Sequence, residues 1–216
     1  MAGLDPARVA ANVAGVREEI AAAARRAGRA PQDVQLLAAV KYVDVEDLGA
    51  LAEAGLELLG ENRAQELERK VARWPGRFTW DFIGQLQSRK VRDVLPQVRY
   101  VHSVASESAL ERLGRHGTED TRVLIEVNVA GEEGKAGIAP AELPAFLEAA
   151  TVAVVGLMTM PPPAAQADAS RPHFAALREL AAAHGLPELS MGTTQDFAVA
   201  VEEGATIVRL GSRLYA

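Results

Sequence analysis

Of the four lysines in this sequence, one follows an apolar run directly: Leu36 to Val40 leads into Lys41. Lys70 ends the charged run RAQELERK, Lys90 lies in QSRKVRDVL and Lys135 in the glycine-rich GEEGKAG, all positions expected to be solvated. Arginine is the ordinary surface cation of the chain, nineteen residues against four lysines, so an isolated lysine at a strand end stands out. Burial lowers the pKa of an amine and suits it to Schiff-base chemistry with carbonyl compounds. The plainer reading of Lys41 is a lysine that snorkels past a strand end. Far along the chain, LSMGTTQDF and TIVRLGSR bring hydroxyls (Ser190, Thr193, Thr194 and Ser212) next to Gly192 and Gly211. Small-residue turns of this kind let the backbone approach an anion; the same residues also read as ordinary turn and N-cap positions. Arg209 alternates with Val208 and Leu210, so a guanidinium on the inner face of a packed strand layer would need a partner.

The elements that would position these groups repeat along the chain. Asp5 followed by Pro6 reads as an N-cap and a helix-starting proline, and the alanine-rich run that follows ends near Gly28. Eight short apolar or β-branched runs come next: VQLLAAVK, LELLGE, FTWDFIG, YVHSV, RVLIEVNV, VAVVGLMT, ELSMG and TIVRLG. Helical patterns separate them, several closing on a glycine suited to the C′ position. Strands alternating with helices call for a parallel sheet, and eight such units close into a (β/α)8 TIM barrel with reactive groups at the C-terminal end of the strands. The expected fold is this barrel as a single domain over residues 1–216, with an extra N-terminal helix and no long helix after the last strand. An open doubly wound sheet is the alternative, but no glycine-rich dinucleotide loop follows the first run. In the barrel frame Lys41 stands where chemistry is done. An amine after strand one, an anion cradle after strands seven and eight and a planar donor on strand eight describe the aldehyde, phosphate and ring-nitrogen ends of a pyridoxal phosphate site.

The sequence resembles the pyridoxal phosphate homeostasis protein family, single barrels similar to the N-terminal domain of alanine racemase. The segments AVKYV, LLGENRAQE, DFIGQLQSRK, VHSV, VNVAGEEGKAG, GLMTMPPP, LSMGTTQDF and VRLGS carry the resemblance, in family order and over nearly the whole chain. It implies that Lys41 forms the internal aldimine, that Asn62 lies beside the cofactor and that Arg209 bonds the pyridine nitrogen. It further implies that Thr194, Gly211 and Ser212 hold the phosphate, with Ser190 contributing. An arginine stays protonated and leaves the ring nitrogen without a proton, which weakens the ring as an electron sink. The chain departs from the family pattern at Val40, where a hydroxyl residue usually precedes the lysine, at Gln85 for a frequent histidine, and in TTQDFA and GSRLYA. Arg213 is either a further cation near the phosphate or a solvent-facing residue. His102 either lines the barrel mouth or is a hydrogen-bonded strand-end histidine, and the loop 128–137 is either structural or concerned with handing on cofactor.

Composition narrows the function classes. With 49% hydrophobic residues in 216, the chain can bury a full core. It has no cysteine, so thiolate metal sites and a cysteine nucleophile are excluded, and its four histidines lack metal-ligand spacing; no metal is expected. A net charge of -6 gives no nucleic-acid footprint, and no run approaches the roughly 18 apolar residues of a membrane span. A cytoplasmic monomer is expected. A racemase needs acid-base groups on both faces of the substrate carbon, and Lys41 serves one. In the two-domain racemases and decarboxylases related to this barrel, the opposing group comes from a second domain. The expected function is therefore binding, buffering and delivery of pyridoxal 5′-phosphate without a catalytic residue, with amino acids and vitamin B6-dependent apoenzymes as further partners. A minor racemase or lyase on the same site, and a lysine aldolase without cofactor, are the alternatives.

Overall fold

The computed structural model describes residues 3–163 and 165–215. Eight parallel strands close into a barrel in chain order: β1 (Gln35–Ala39), β2 (Leu58–Glu61), β3 (Thr79–Phe82), β4 (Tyr100–Val104), β5 (Arg122–Glu126), β6 (Ala153–Met158), β7 (Glu188–Ser190) and β8 (Ile207–Leu210). Each expected run contains one of them. Closure is direct, since β1 pairs with β2 through Ala38 opposite Leu59 and with β8 through Leu37 opposite Arg209. The open-sheet alternative is thereby excluded.

Helices cover the barrel: α1 (Pro6–Arg26), α2 (Leu48–Glu53), α3 (Ala64–Arg73), α4 (Val91–Val94), α5 (Glu107–His116), α6 (Leu143–Ala149), α7 (Arg171–Ala183), α8 (Phe197–Glu202) and α9 (Ser212–Tyr215). Capping chemistry sets α1: the Asp5 carboxylate accepts from Ala7 N–H at 3.0 Å, Pro6 occupies the first turn, and Gly28 takes a φ of +68° just past the end. Val9, Val13, Val16, Ile20, Ala23 and Ala24 bury one stripe, which packs on α2, α8 and the one-turn α9. The N-terminal helix thus covers the barrel between α2 and α8, beside the short α9. Tyr215 in α9 packs against the core.

Strand alternation divides the core in two. Leu59, Trp80, Val101, Val123, Ile125 and Leu157 are buried on one side, the side that meets the helices. On the inner side, register aligns Gly60 with Asp81 and Met158 with Ser190, so polar residues enter the lumen. Gly60 is required there, since a Cβ would come within 2.4 Å of the Leu37 side chain. No helix among the described residues is long and apolar enough to cross a membrane.

Candidate cofactor site at the C-terminal end of the strands

β1 stops at Ala39, so Lys41 lies in the following turn, closed by Val43 N–H donating to the Val40 carbonyl at 3.0 Å. Its side chain is exposed, with Nζ 4.9 Å from the centre of the Tyr42 ring. Of the two readings of Lys41, the desolvated amine is therefore not what the structure shows: the side chain passes the strand end and is exposed at the barrel mouth. Tyr42 is 83% exposed beside Lys41, because the strand and its in-out alternation end at Ala39. The buried lysine is Lys70, 1% exposed, for which the sequence suggests a solvated position. Its Nζ donates to Glu61 Oε2 at 2.6 Å and to the Val40 carbonyl at 2.7 Å. The run RAQELERK reads as a solvated face, yet Lys70 shares the spacing of Leu67 and turns with it toward the barrel, where Glu61 on β2 is fully buried.

The lumen below the mouth holds a continuous hydrogen-bonded chain. Arg99, just before β4, donates from Nε and Nη2 to the Asp81 carboxylate at 3.0 and 2.7 Å, and from Nη1 to Gln35 at 2.6 Å. His102 on β4 lies between Asp81 and Ser190, with Nε2 3.0 Å from Asp81 Oδ2 and Nδ1 2.8 Å from Ser190 Oγ. Arg209 donates from Nη1 to Ser190 Oγ and from Nη2 to the Thr159 carbonyl at 2.9 Å. Burial alone would raise the Asp81 carboxyl, but bonds from His102 and Arg99 outweigh it and hold it below the ordinary range. Burial lowers His102, against the opposing pull of Asp81, and keeps its imidazole neutral. These states fix the direction of every proton. The ionised Asp81 only accepts, so His102 donates from Nε2 and accepts at Nδ1 from the Ser190 hydroxyl, which in turn accepts from Arg209. Burial also lowers Arg209, to about 10, leaving it charged at neutral pH. Two of its five N–H donors are used in these bonds.

A pH dependence of stability follows. His102 has a folded pKa below its unfolded value near 6.5, so between the two the unfolded chain binds the extra proton and stability falls as pH falls. Asp81, with a depressed folded pKa, adds its own loss further into acid. The free energy of urea unfolding should begin to decline below about pH 6.5, with a slope from His102 of at most about 1.4 kcal/mol per pH unit. His102→Gln should start from lower stability and lack this first decline. A variant that keeps the wild-type slope between pH 6.5 and 5 would show that another group is responsible.

The remaining expected site residues divide between mouth and lumen. Ser190 is fully buried and engaged in the lumen chain, where it supports Arg209; its hydroxyl is committed there instead of facing an anion. Thr194 and Ser212 lie after β7 and β8, and neither hydroxyl is engaged by another of the described residues. The turn that carries Thr194 is set by Asp196, whose Oδ1 accepts from Thr193 N–H at 2.7 Å, and by Gly192, with a φ of +90°. Gly211 lacks a positive φ, so its backbone does not require glycine. Arg213 bonds Glu19 on α1 and lies 5.4 Å from the Phe197 ring centre, so it braces the terminal helices. Gln85 is exposed. Asn128 donates to the Glu132 carbonyl at 2.8 Å and accepts from Glu132 N–H at 3.2 Å, which favours the structural reading of that loop.

Asn62 follows β2, fixed by Glu61 Oε1, which accepts from Asn62 N–H at 2.7 Å. Gly84 lets the Asn62 backbone approach, since a Cβ there would fall 2.2 Å from the Asn62 carbonyl. The Asn62 side-chain oxygen is buried and has no partner among the described residues. A buried amide oxygen left unpaired at the same end as a free amine and two unengaged hydroxyls fits a polar heterocycle with an anionic arm. A cavity of about 110 Å³ opens nearby between Met160–Pro163 and Thr193, Gln195 and Asp196. A larger one, about 520 Å³, lies at the opposite end against α1, is lined by Arg17, Gln32 and Gln35 among others, and touches no expected site residue. Sequence reasoning missed Asp81, Arg99, Glu61, Lys70 and Glu126. Acids inside the apolar runs FTWDFIG, LELLGE and RVLIEVNV were the available signal.

The fold is a barrel of the alanine racemase N-terminal type, and the family description "Alanine racemase, N-terminal domain" matches residues 11–216. Curated relatives include the pyridoxal phosphate homeostasis proteins of Aquifex aeolicus, 40% identical over 93% of this chain and 94% of its own, and of Pseudomonas aeruginosa, 39% identical over 96% and 94%. The chain belongs to the pyridoxal phosphate homeostasis protein family. The structure of PipY from Synechococcus elongatus PCC7942, with PLP bound, superposes with a TM-score of 0.81 at 32% identity, covering 96% of this chain and all of that one. Alanine racemase from Corynebacterium glutamicum shares the barrel fold (TM-score 0.73, 18% identity), over 99% of this chain and 62% of its own.

Proposed function

We propose that this protein, acting through residues 1–216 as one barrel, binds pyridoxal 5′-phosphate at the strand C-terminal end and buffers and delivers it. The observation that carries this reading is Arg209, held in place beneath the mouth by Ser190 and the Thr159 carbonyl and charged at neutral pH, at the same end as the Lys41 amine. In this reading Lys41 attaches the cofactor, Asn62 bonds its ring substituent, Arg209 donates to the ring nitrogen, and Thr194, Ser212 and the Gly211 backbone hold the phosphate. When bound, the cofactor supplies an aldehyde open to amines and an electron-withdrawing ring. Arg209 keeps a proton off the ring nitrogen and so limits that withdrawal. Ser190 acts one step back, orienting Arg209.

The geometry favours exchange over carbon chemistry. Tyr42 is exposed on the same turn as Lys41 and not across from it. The Tyr215 hydroxyl is buried in α9, where burial raises its pKa, and His102 is neutral and committed within the lumen chain. None of these provides an opposing acid-base group. We place the protein in the cytoplasm as a monomer, with amino acids and vitamin B6-dependent apoenzymes as its partners. The test is incubation with L- or D-alanine in deuterated water. Deuterium should enter the α carbon at no more than a trace rate, while the apo form of a pyridoxal phosphate-dependent enzyme mixed with the loaded protein gains activity. Rapid, saturable α-deuteration lost in Lys41→Ala would replace this reading with a racemase.

A further inference from the structure

Of the three lysines that the cofactor reading leaves unused, Lys70 is the most buried cation in the described structure. Lys70 is 1% exposed and its partner Glu61 fully buried. Such a pair costs desolvation that well-packed apolar side chains would avoid, so its presence calls for something that apolar packing does not provide. Its bonds show what that is. Lys70 Nζ donates at 2.7 Å to the carbonyl of Val40, the residue before Lys41, and the same carbonyl closes the Lys41 turn by accepting from Val43 N–H at 3.0 Å. The other arm of the pair reaches the second mouth segment: Glu61 Oε2 takes Lys70 at 2.6 Å, while Oε1 accepts from Asn62 N–H at 2.7 Å and Arg63 N–H at 3.1 Å. Val40 N–H donates to the Gly60 carbonyl at 2.9 Å, completing a closed loop between the ends of β1 and β2.

We propose that Lys70 is a positioning residue, which through Glu61 locks the Lys41 turn to the Asn62 segment and so sets the readiness of the Lys41 amine to attack the cofactor aldehyde. An ammonium presents several donors from one point, and no apolar side chain could hold a carbonyl and a carboxylate at once. Without the lock, the exposed Lys41 side chain has, among the described residues, the Tyr42 ring and its own turn to orient it. The step concerned is a condensation: the unprotonated Lys41 nitrogen forms a C=N bond to the aldehyde carbon, and the aldehyde oxygen leaves as one water that carries off both amine hydrogens. Lys70 takes no part in proton transfer, since its ammonium faces Glu61 and a carbonyl and is closed from the mouth.

The inference rests on the proposed attachment of cofactor to Lys41, and one comparison separates the two. Pyridoxal 5′-phosphate and pyridoxine 5′-phosphate share ring and phosphate, but only the first has an aldehyde. In the variant K70M/E61Q no buried charge is left unpaired, and the amide oxygen of the introduced glutamine still accepts from Asn62 N–H. The aldehyde ligand should bind this variant about tenfold more weakly and attach to Lys41 about tenfold more slowly, while the affinity for pyridoxine 5′-phosphate stays within about twofold. A merely structural role would weaken both ligands by the same factor, and that result, or no change in either, overturns the inference. Should the double variant not fold, Glu61→Gln alone loosens the lock without removing the lysine; the ratio of the two affinities should then move the same way by a smaller factor, and an unchanged ratio is again decisive against it. Wild-type protein that fails to attach the aldehyde ligand at Lys41 would overturn the attachment itself and this inference with it.

Discussion

Borohydride added to the protein in the presence of pyridoxal 5′-phosphate should fix one cofactor on Lys41, and peptide mapping should find no stoichiometric label on the other lysines. Reduction turns the C=N bond into a stable secondary amine, so the label records where the aldehyde was held. The structure makes the choice among four amines physical. Lys70 is sealed against Glu61 and the Val40 carbonyl. Lys90 pairs with Asp93 at 3.0 Å and Lys135 with Glu132 at 3.5 Å, so each already has an acidic partner. Lys41 alone among the four is without an acidic partner in the described structure, and it stands at the mouth. Lys41→Ala should lose the visible absorbance of the attached cofactor completely. Because the side chain is exposed and packs on Tyr42, unfolding stability should change by no more than about 0.5 kcal/mol. Full labelling of Lys70, Lys90 or Lys135 would refute the assignment of Lys41.

Replacing Thr194 and Ser212 together by alanine should cost most of the affinity for pyridoxal 5′-phosphate and little of that for unphosphorylated pyridoxal. Each hydroxyl lost from a charged acceptor removes about 1.5 to 3 kcal/mol, so the pair corresponds to roughly a hundredfold to ten-thousandfold in dissociation constant. Neither hydroxyl is engaged by a described residue, so the substitutions break no internal bond there and the native fold should persist. Ser190→Ala is a different experiment, because that hydroxyl links His102 to Arg209. It should weaken phosphorylated and unphosphorylated ligand alike. Equal weakening of both ligands by the Thr194 and Ser212 substitutions would place the phosphate elsewhere.

The barrel was legible in the sequence because its determinants are local. Apolar runs such as RVLIEVNV, separated by helical patterns ending in glycine, set strand and helix by period alone, and the Asp5 and Pro6 cap marked α1. Arg209 was legible for the same reason, since alternation put a guanidinium on an inner face where it had to find a partner. Those partners were not legible. Ser190, His102, Asp81 and Arg99 come from β7, β4, β3 and the segment before β4, up to 88 positions apart in a single hydrogen bond, and only closure of the sheet brings them together. Ser190 therefore read as a turn hydroxyl for an anion, whereas strand register turns it into the lumen. The lysines reversed for a related reason. Sequence assigns burial from neighbours along the chain, and by that measure Lys41 follows an apolar run while Lys70 lies in a charged one. Burial is decided by what lies across the fold: β1 ends two residues before Lys41 and releases it to the mouth, and α3 presses Lys70 onto a carboxylate that β2 has already buried.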